Sequence, residues 1–152
     1  MEKQPLETGR VAQICIIVRD IEKTAKEYSD FLGVPMPEIS ETAGIEKSRA
    51  TYKGKPCEAT AKLAFMKVGE GIDIELIQPD EKPSTWREFL DEKGEGVHHI
   101  AFWIKDTAGK TKKLEADGMT LQQTGEWGTG RYAYFDAVDS LKLIIETLES
   151  DE

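Results

Sequence analysis

The spacing of apolar positions changes several times along this chain, and each change marks an element. Residues 11–18, from Val11 to Val18, form a short run rich in β-branched side chains, the pattern of a buried strand. Beyond it Ile21, Ala25, Tyr28 and Leu32 recur at steps of three and four, which predicts a helix over 21–32 with that face turned inward. Asp20 stands at its N-cap, Glu22 suits the positive end of its dipole, and Gly33 stops it. Residues 35–47, with Pro35, Pro37 and Gly44, read as a loop. Strands follow at about 48–53 and about 58–68, and the alternation of Ile72, Asp73, Ile74, Glu75 and Leu76 gives a further strand. Ser84 then caps a short helix over 85–93, closed by Gly94-Glu95-Gly96.

At Val97 the pattern restarts. A strand over 97–104 leads through Lys105-Asp106 into a helix over 107–116, ended by Asp117-Gly118. Strands at about 119–124 and 131–136 and a last one over 142–148 complete it, so both halves read β-α-β-β-β. Setting Gln13 on His99 places Ile14 on Ile100, Arg19 on Lys105 and Asp20 on Asp106, and in the closing strands Ile74-Glu75 falls on Ile145-Glu146. A repeat of this kind dictates architecture. The expected fold class is α+β, with two tandem βαβββ modules forming a curved mixed sheet around a cleft. Residues 1–152 form a single domain in this reading, with modules at 10–80 and 97–149 and a connector at 81–96.

Bulk composition narrows the setting. The chain of 152 residues is 39% hydrophobic and 32% charged, as soluble globular proteins are. No apolar run approaches the roughly 18 residues of a membrane span, and the N-terminal residues lack the apolar stretch of a signal peptide. Cys15 and Cys57 form neither a disulfide framework nor a CxxC pair, so the expected setting is the reducing cytoplasm. A formal charge of -9 argues against nucleic acid and anionic membranes as partners. A small anionic substrate stays compatible with it, because a local cluster of cations can oppose the global field.

Candidate chemistry follows from strand alternation. Gln13, Cys15 and Ile17 share one face of the first strand, His99, Ala101 and Trp103 the equivalent face of its counterpart, and Asp73 and Glu75 lie opposite Ile72, Ile74 and Leu76. The more uniformly apolar faces belong under the helices. The other faces then bring Gln13, Glu75, His99 and Glu146 together: one imidazole, two carboxylates and one amide oxygen. Each alone is ordinarily a satisfied or solvated polar residue. Their recurrence at equivalent places of the repeat points instead to a divalent-metal site, for zinc, cobalt, nickel, manganese or iron. Cys15 and Ala101 are small enough to leave room beside the ion. In a regular strand His98 points away from His99 and takes no part.

Two β-α-β-β-β modules with donors at these four places resemble the vicinal oxygen chelate superfamily, over about residues 10–149. Its members include glyoxalase I, methylmalonyl-CoA epimerase, extradiol dioxygenases and drug-resistance proteins. The segment Trp86 to Ala101, with Gly94-Glu95-Gly96-Val97-His98-His99, and the stretch Ile74 to Pro79 are most similar to the epimerase branch. Gln13, where that branch carries His, resembles the ligand set of zinc-type glyoxalases I, and Glu126 to Asp136 departs from the epimerase pattern. The resemblance implies a metal-dependent isomerase or lyase that stabilises an enolate. Its substrate would be an acyl-CoA thioester or a glutathione-type thiol adduct, and a homodimer is compatible with it. Glu146 or Glu75 would act as the base, with Glu58 as the candidate the epimerase likeness supplies. Arg131, ahead of Arg49, Lys62 and Lys67, is the cation expected to meet an anionic substrate group, and Trp103 is expected to line the pocket. Two alternatives stand beside this: a metal-free small-molecule binding or resistance protein, and an extradiol-type dioxygenase, which favours two His and one carboxylate where this chain offers one usable His.

Overall fold

The computed structural model describes residues 3–152. The first half runs β1 (Gln13–Ile17), α1 (Ile21–Leu32), β2 (Ile39–Glu41), α2 (Ile45–Ser48), β3 (Thr51–Tyr52), β4 (Lys55–Pro56), β5 (Ala61–Gly69) and β6 (Ile72–Pro79). After α3 (Thr85–Lys93) the second half runs β7 (Gly96–Trp103), α4 (Thr107–Ala116), β8 (Thr120–Trp127), β9 (Gly130–Asp136), α5 (Val138–Leu141) and β10 (Ile144–Ser150). The strands form one curled mixed sheet in the order β2-β5-β6-β1-β7-β10-β9-β8-β3-β4. This is the expected α+β class. No helix among the described residues is long and apolar enough to cross a membrane.

Capping explains why the helices begin where they do. Asp20 and Ser84 accept from the backbone N–H three residues on, at Lys23 and Arg87, and Gly33 ends α1 with φ of 68°. The parallel pairs β1–β6 and β7–β10 each need a crossover, and α1 and α4 lie on those crossovers. The first strands of the two halves, β1 and β7, run antiparallel side by side at the centre of the sheet.

Alternation then sorts the core. Under α1, Val18, Ile21, Ala25, Ala64, Met66 and Leu76 pack with Ile16 and Ile74. Under α4, Ile104, Leu114, Ala133, Phe135 and Ile145 pack with Ile100 and Phe102. A third cluster, with Cys15, Ile17, Ile77, Trp86, Leu90, Tyr134 and Ile144, fills one end of the concave face beneath α3. Leu32 departs from the expected inward stripe: it ends α1 at 36% exposure, and Ser29 takes the buried place one turn earlier.

Several short elements differ from expectation. The loop at 35–47 contains β2 and the single turn α2, and α5 precedes the last strand. The strand expected over 48–53 shrinks to β3, which makes a hairpin with β4 and adds to the edge of β8 in the other half. Pieces of two to four residues are too short to display a period, so their pairing is decided by the tertiary neighbour.

Across β10, the Glu149 carboxylate accepts from the backbone N–H groups of Asp106 and Thr107 at 3.1 and 3.0 Å and from the Thr107 hydroxyl, with Arg131 at 3.2 Å. The Thr107 hydroxyl and then its N–H, ahead of Arg131, hold this carboxyl down at about 2. A depressed carboxyl contributes stability above its unfolded value of 4.5, and that contribution is lost as pH falls toward 2. Glu149→Gln is expected to cost about 1–2 kcal/mol at neutral pH by urea unfolding. The gap to the parent should close between about pH 4.5 and 2; a gap independent of pH would contradict the assignment.

Candidate functional site

Four adjacent central strands, β6, β1, β7 and β10, carry the expected donors on the concave face. The registers arrange them in two rows. In one row Glu75 and His99 flank Cys15; in the next Gln13 and Glu146 flank Ala101. Strands lie about 4.8 Å apart, so the two small side chains leave a gap that the longer ones converge across. His99 Nε2 lies 3.0 Å from Glu146 Oε1 and 3.5 Å from Glu75 Oε1. All three side chains are buried, with His99 fully enclosed. The three atoms nevertheless lack any partner of hydrogen-bond geometry.

Three converging, buried and unpaired donors are costly in any protein interior. Metal–ligand bonds of about 2.1 Å at angles of 90–109° put neighbouring donors about 3.0–3.4 Å apart, which the spacing here matches. Glu75, His99 and Glu146 therefore fit a single divalent cation, and Gln13 borders the same cavity as the two carboxylates. Burial lifts the Glu75 carboxyl above its usual range, although His99 beside it pulls the other way. Burial likewise opposes charge on His99, but the Cys15 sulfur, as an acceptor, and the Glu146 carboxylate outweigh it and hold the imidazole well above 6.5. Burial pushes the Cys15 thiol up to about 12, so it stays protonated.

Above these donors opens a cavity of about 830 Å³. Phe65, Trp86, Trp103, Trp127, Tyr132 and Tyr134 line it, with Lys47 and Arg49 at its border. Trp103, half-exposed, meets Trp127 edge-on at 6.3 Å. Tyr134 packs on His99 at 4.9 Å and accepts from Trp86 Nε1 at 3.1 Å.

The structure does not bring every expected residue here. Arg131 sits on the other face of β9 from Tyr132 and Tyr134, its guanidinium held by Glu149 and Asp151. Its cationic place at the cavity is taken by Arg49, 3.8 Å from Glu126, and by Lys47. Glu58 is exposed outside the cavity, in the stretch between β4 and β5, and Lys62 and Lys67 do not line it either.

His98 needs the largest correction. Cys15 pairs with His99 and Ile16 with Val97, so His98 is an extra residue, a β-bulge that breaks the alternation. Its ring lies on the same side as that of His99, with the two Nδ1 atoms 2.8 Å apart. Cys15, His98 and His99 thus form a second trio of donors within 4.8 Å of one another, although the Nδ1 contact already occupies one nitrogen of each ring. Burial, then the neighbouring charge of His99, hold His98 well below 6.5, so it is neutral. No local sequence signal announces this bulge. Tyr132 and Tyr134, by contrast, could have been found from the alternation of 130–136, which sets them opposite Ala133 and Phe135.

The profile of the glyoxalase/bleomycin resistance protein/dioxygenase superfamily matches residues 12–135. Among solved structures, methylmalonyl-CoA epimerase from Mycobacterium tuberculosis is 23% identical, with a TM-score of 0.64 over 99% of this chain and 93% of that one. Methylmalonyl-CoA epimerase from Streptomyces coelicolor, in complex with 2-nitronate-propionyl-CoA, is 19% identical with a TM-score of 0.62, over 94% and 98% of the two chains. A hypothetical protein from Bacillus halodurans is 20% identical with a TM-score of 0.67, over 94% and 95%. At these identities the likeness is one of fold. No curated protein matches the sequence.

Tyr134→Phe would leave the buried Trp86 indole N–H without its acceptor. The variant is expected to lose about 1–2 kcal/mol in urea unfolding, whereas Tyr28→Phe, packed at the edge of the cluster under α1, should lose less. Equal losses would contradict the pairing.

Proposed function

The chain belongs to the glyoxalase/bleomycin resistance protein/dioxygenase superfamily, and on that premise we propose that it is a metal-dependent isomerase of the epimerase kind, moving a proton at the carbon next to a thioester carbonyl. One observation carries this reading: Glu75, His99 and Glu146 converge, buried and otherwise unpartnered, at the floor of an aromatic cavity. Glu75, His99 and Glu146 would hold the ion, with the Gln13 amide oxygen as a fourth donor. Such an ion, when bound, supplies the positive charge that stabilises a developing oxyanion and so acidifies the neighbouring carbon.

The chain's own groups account for the remainder. Of the two carboxylates beside His99, one would take the proton from one face of that carbon and the other would return a proton to the opposite face. Burial suits this task, since it removes the water that would solvate the carboxylate and compete for the proton. The aromatic walls exclude water from the acyl group, and Lys47 and Arg49 at the border offer charge to an anionic carrier. An acyl-CoA matches that combination, and the S. coelicolor neighbour was solved with one. Gln13 favours a second reading, a glyoxalase-type isomerase of a glutathione thiohemiacetal, because its amide stands where the epimerase resemblance carries His.

The test is deuterium exchange in D₂O with zinc, cobalt, nickel or manganese, using methylmalonyl-CoA and, separately, the hemithioacetal of methylglyoxal and glutathione. Exchange at the α-carbon of one substrate is expected, abolished by chelation and reduced about 10²-fold or more in Glu75→Gln or Glu146→Gln. Bound metal without exchange on either substrate would overturn the isomerase reading. Failure to bind any metal, with small apolar ligands still taken up, would favour a sequestering protein instead.

A further inference from the structure

Two β-bulges and the start of α3 meet behind His99. The bulge at His98 turns its ring toward α3, where Nε2 lies 3.2 Å from Thr85 Oγ1. A second bulge falls at Gln122, because Leu121 pairs with Phe135 and Gln123 with Tyr134, leaving Gln122 unpaired between them. That bulge aims Gln122 Oε1 at the same hydroxyl, 2.8 Å away. The backbone N–H of Thr85 donates to Gln123 Oε1 at 2.9 Å, and Gln123 Nε2 donates to Tyr132 at 3.2 Å, so the acceptor of the Thr85 N–H is itself held. Thr85 and His98 are each 2% exposed.

Proton counting gives this line a direction. A hydroxyl has one proton to donate, and an amide oxygen only accepts. The Thr85 proton therefore goes to Gln122 Oε1, and toward His98 the hydroxyl oxygen is an acceptor. His98 must then carry its proton on Nε2, which leaves Nδ1 bare. The Nδ1 atoms of His98 and His99, 2.8 Å apart, share one proton, and it belongs to His99. Nε2, pointing between Glu75 and Glu146, is then the nitrogen of His99 whose proton a metal ion would displace.

We infer that Gln122, Thr85 and His98 are positioning residues that fix the tautomer and ring orientation of His99 and present its Nε2 as a ligand atom. The inference rests on the reading of Glu75, His99 and Glu146 as metal ligands, and it assigns the second nitrogen of that ligand a neutral imidazole as acceptor. Without this line an imidazole 3.0 Å from a carboxylate would carry its proton on Nε2 and be the wrong tautomer for ligation.

Long-range ¹H–¹⁵N spectra of ¹⁵N-histidine protein, metal-free and with zinc, read the proton positions without reference to activity. His98 is expected to be protonated on Nε2 with a bare Nδ1 in both states, and His99 to keep Nδ1–H when zinc is added. A proton on His98 Nδ1 in either state overturns the inference. Thr85→Val removes the acceptor at nearly constant shape and is expected to weaken zinc affinity about 10- to 100-fold while mixing the His98 tautomers; Thr85→Ser should restore both. Parental zinc affinity and an unchanged His98 tautomer in Thr85→Val would also overturn it. If the parent protein takes up no zinc while His98 is still protonated on Nε2, the ligand reading fails and the hydrogen-bond line stands, so the two failures are distinguishable.

Discussion

Two carboxylates and an imidazole taken out of water onto the floor of a sheet each carry a desolvation cost of several kcal/mol, and that cost shapes this molecule. The distances of 3.0 and 3.5 Å from His99 Nε2 to Glu146 and Glu75 make the three groups one electrostatic unit. Removing any one leaves the others buried and uncompensated. In the proposed reading a divalent ion supplies the compensation. Keeping the unit dry falls to the packed aromatic residues around it, above all Tyr134, which touches His99 and binds Trp86.

The repeat is what makes this arrangement available. Placing β1 beside β7, with β6 and β10 outside them, brings the first and last strands of both halves into four neighbouring positions. Donors at equivalent sites then fall on two rows separated by Cys15 and Ala101. The halves differ around these donors. His99 stands where the first half has Gln13, and only the second half carries the bulges at His98 and Gln122 that lead to Thr85. The approximate symmetry brings the donors together, and the departures from it give one donor a distinct environment.

Much of this was legible in the residues. Helices α1, α3 and α4 have the bounds that caps and periodicity predict, because Asp20, Ser84, Gly33 and Gly94 are strong local signals. The convergence of Glu75, His99 and Glu146 was legible too, since strand alternation and the repeat together fix both face and neighbour. Legibility failed where a tertiary partner overrides the local pattern. Arg131 is a different case: alternation itself sets it on the face opposite Tyr132 and Tyr134, where Glu149 and Asp151 hold it. The hairpin of β3 and β4 pairs with a strand some seventy residues away, and nothing in its own few residues names that partner. His98 is the sharpest case, because a regular strand points it away from His99 and one extra residue reverses the outcome.

Anomalous diffraction from crystals grown with manganese, cobalt or zinc shows directly where a bound ion sits. One strong peak is expected at bonding distance, about 2.0–2.3 Å, from Glu75, His99 and Glu146, with His98 outside the coordination sphere and bonded to His99 and Thr85. A peak seated instead on Cys15 and His98, or no peak at this floor with metal present in excess, would contradict the ligand reading.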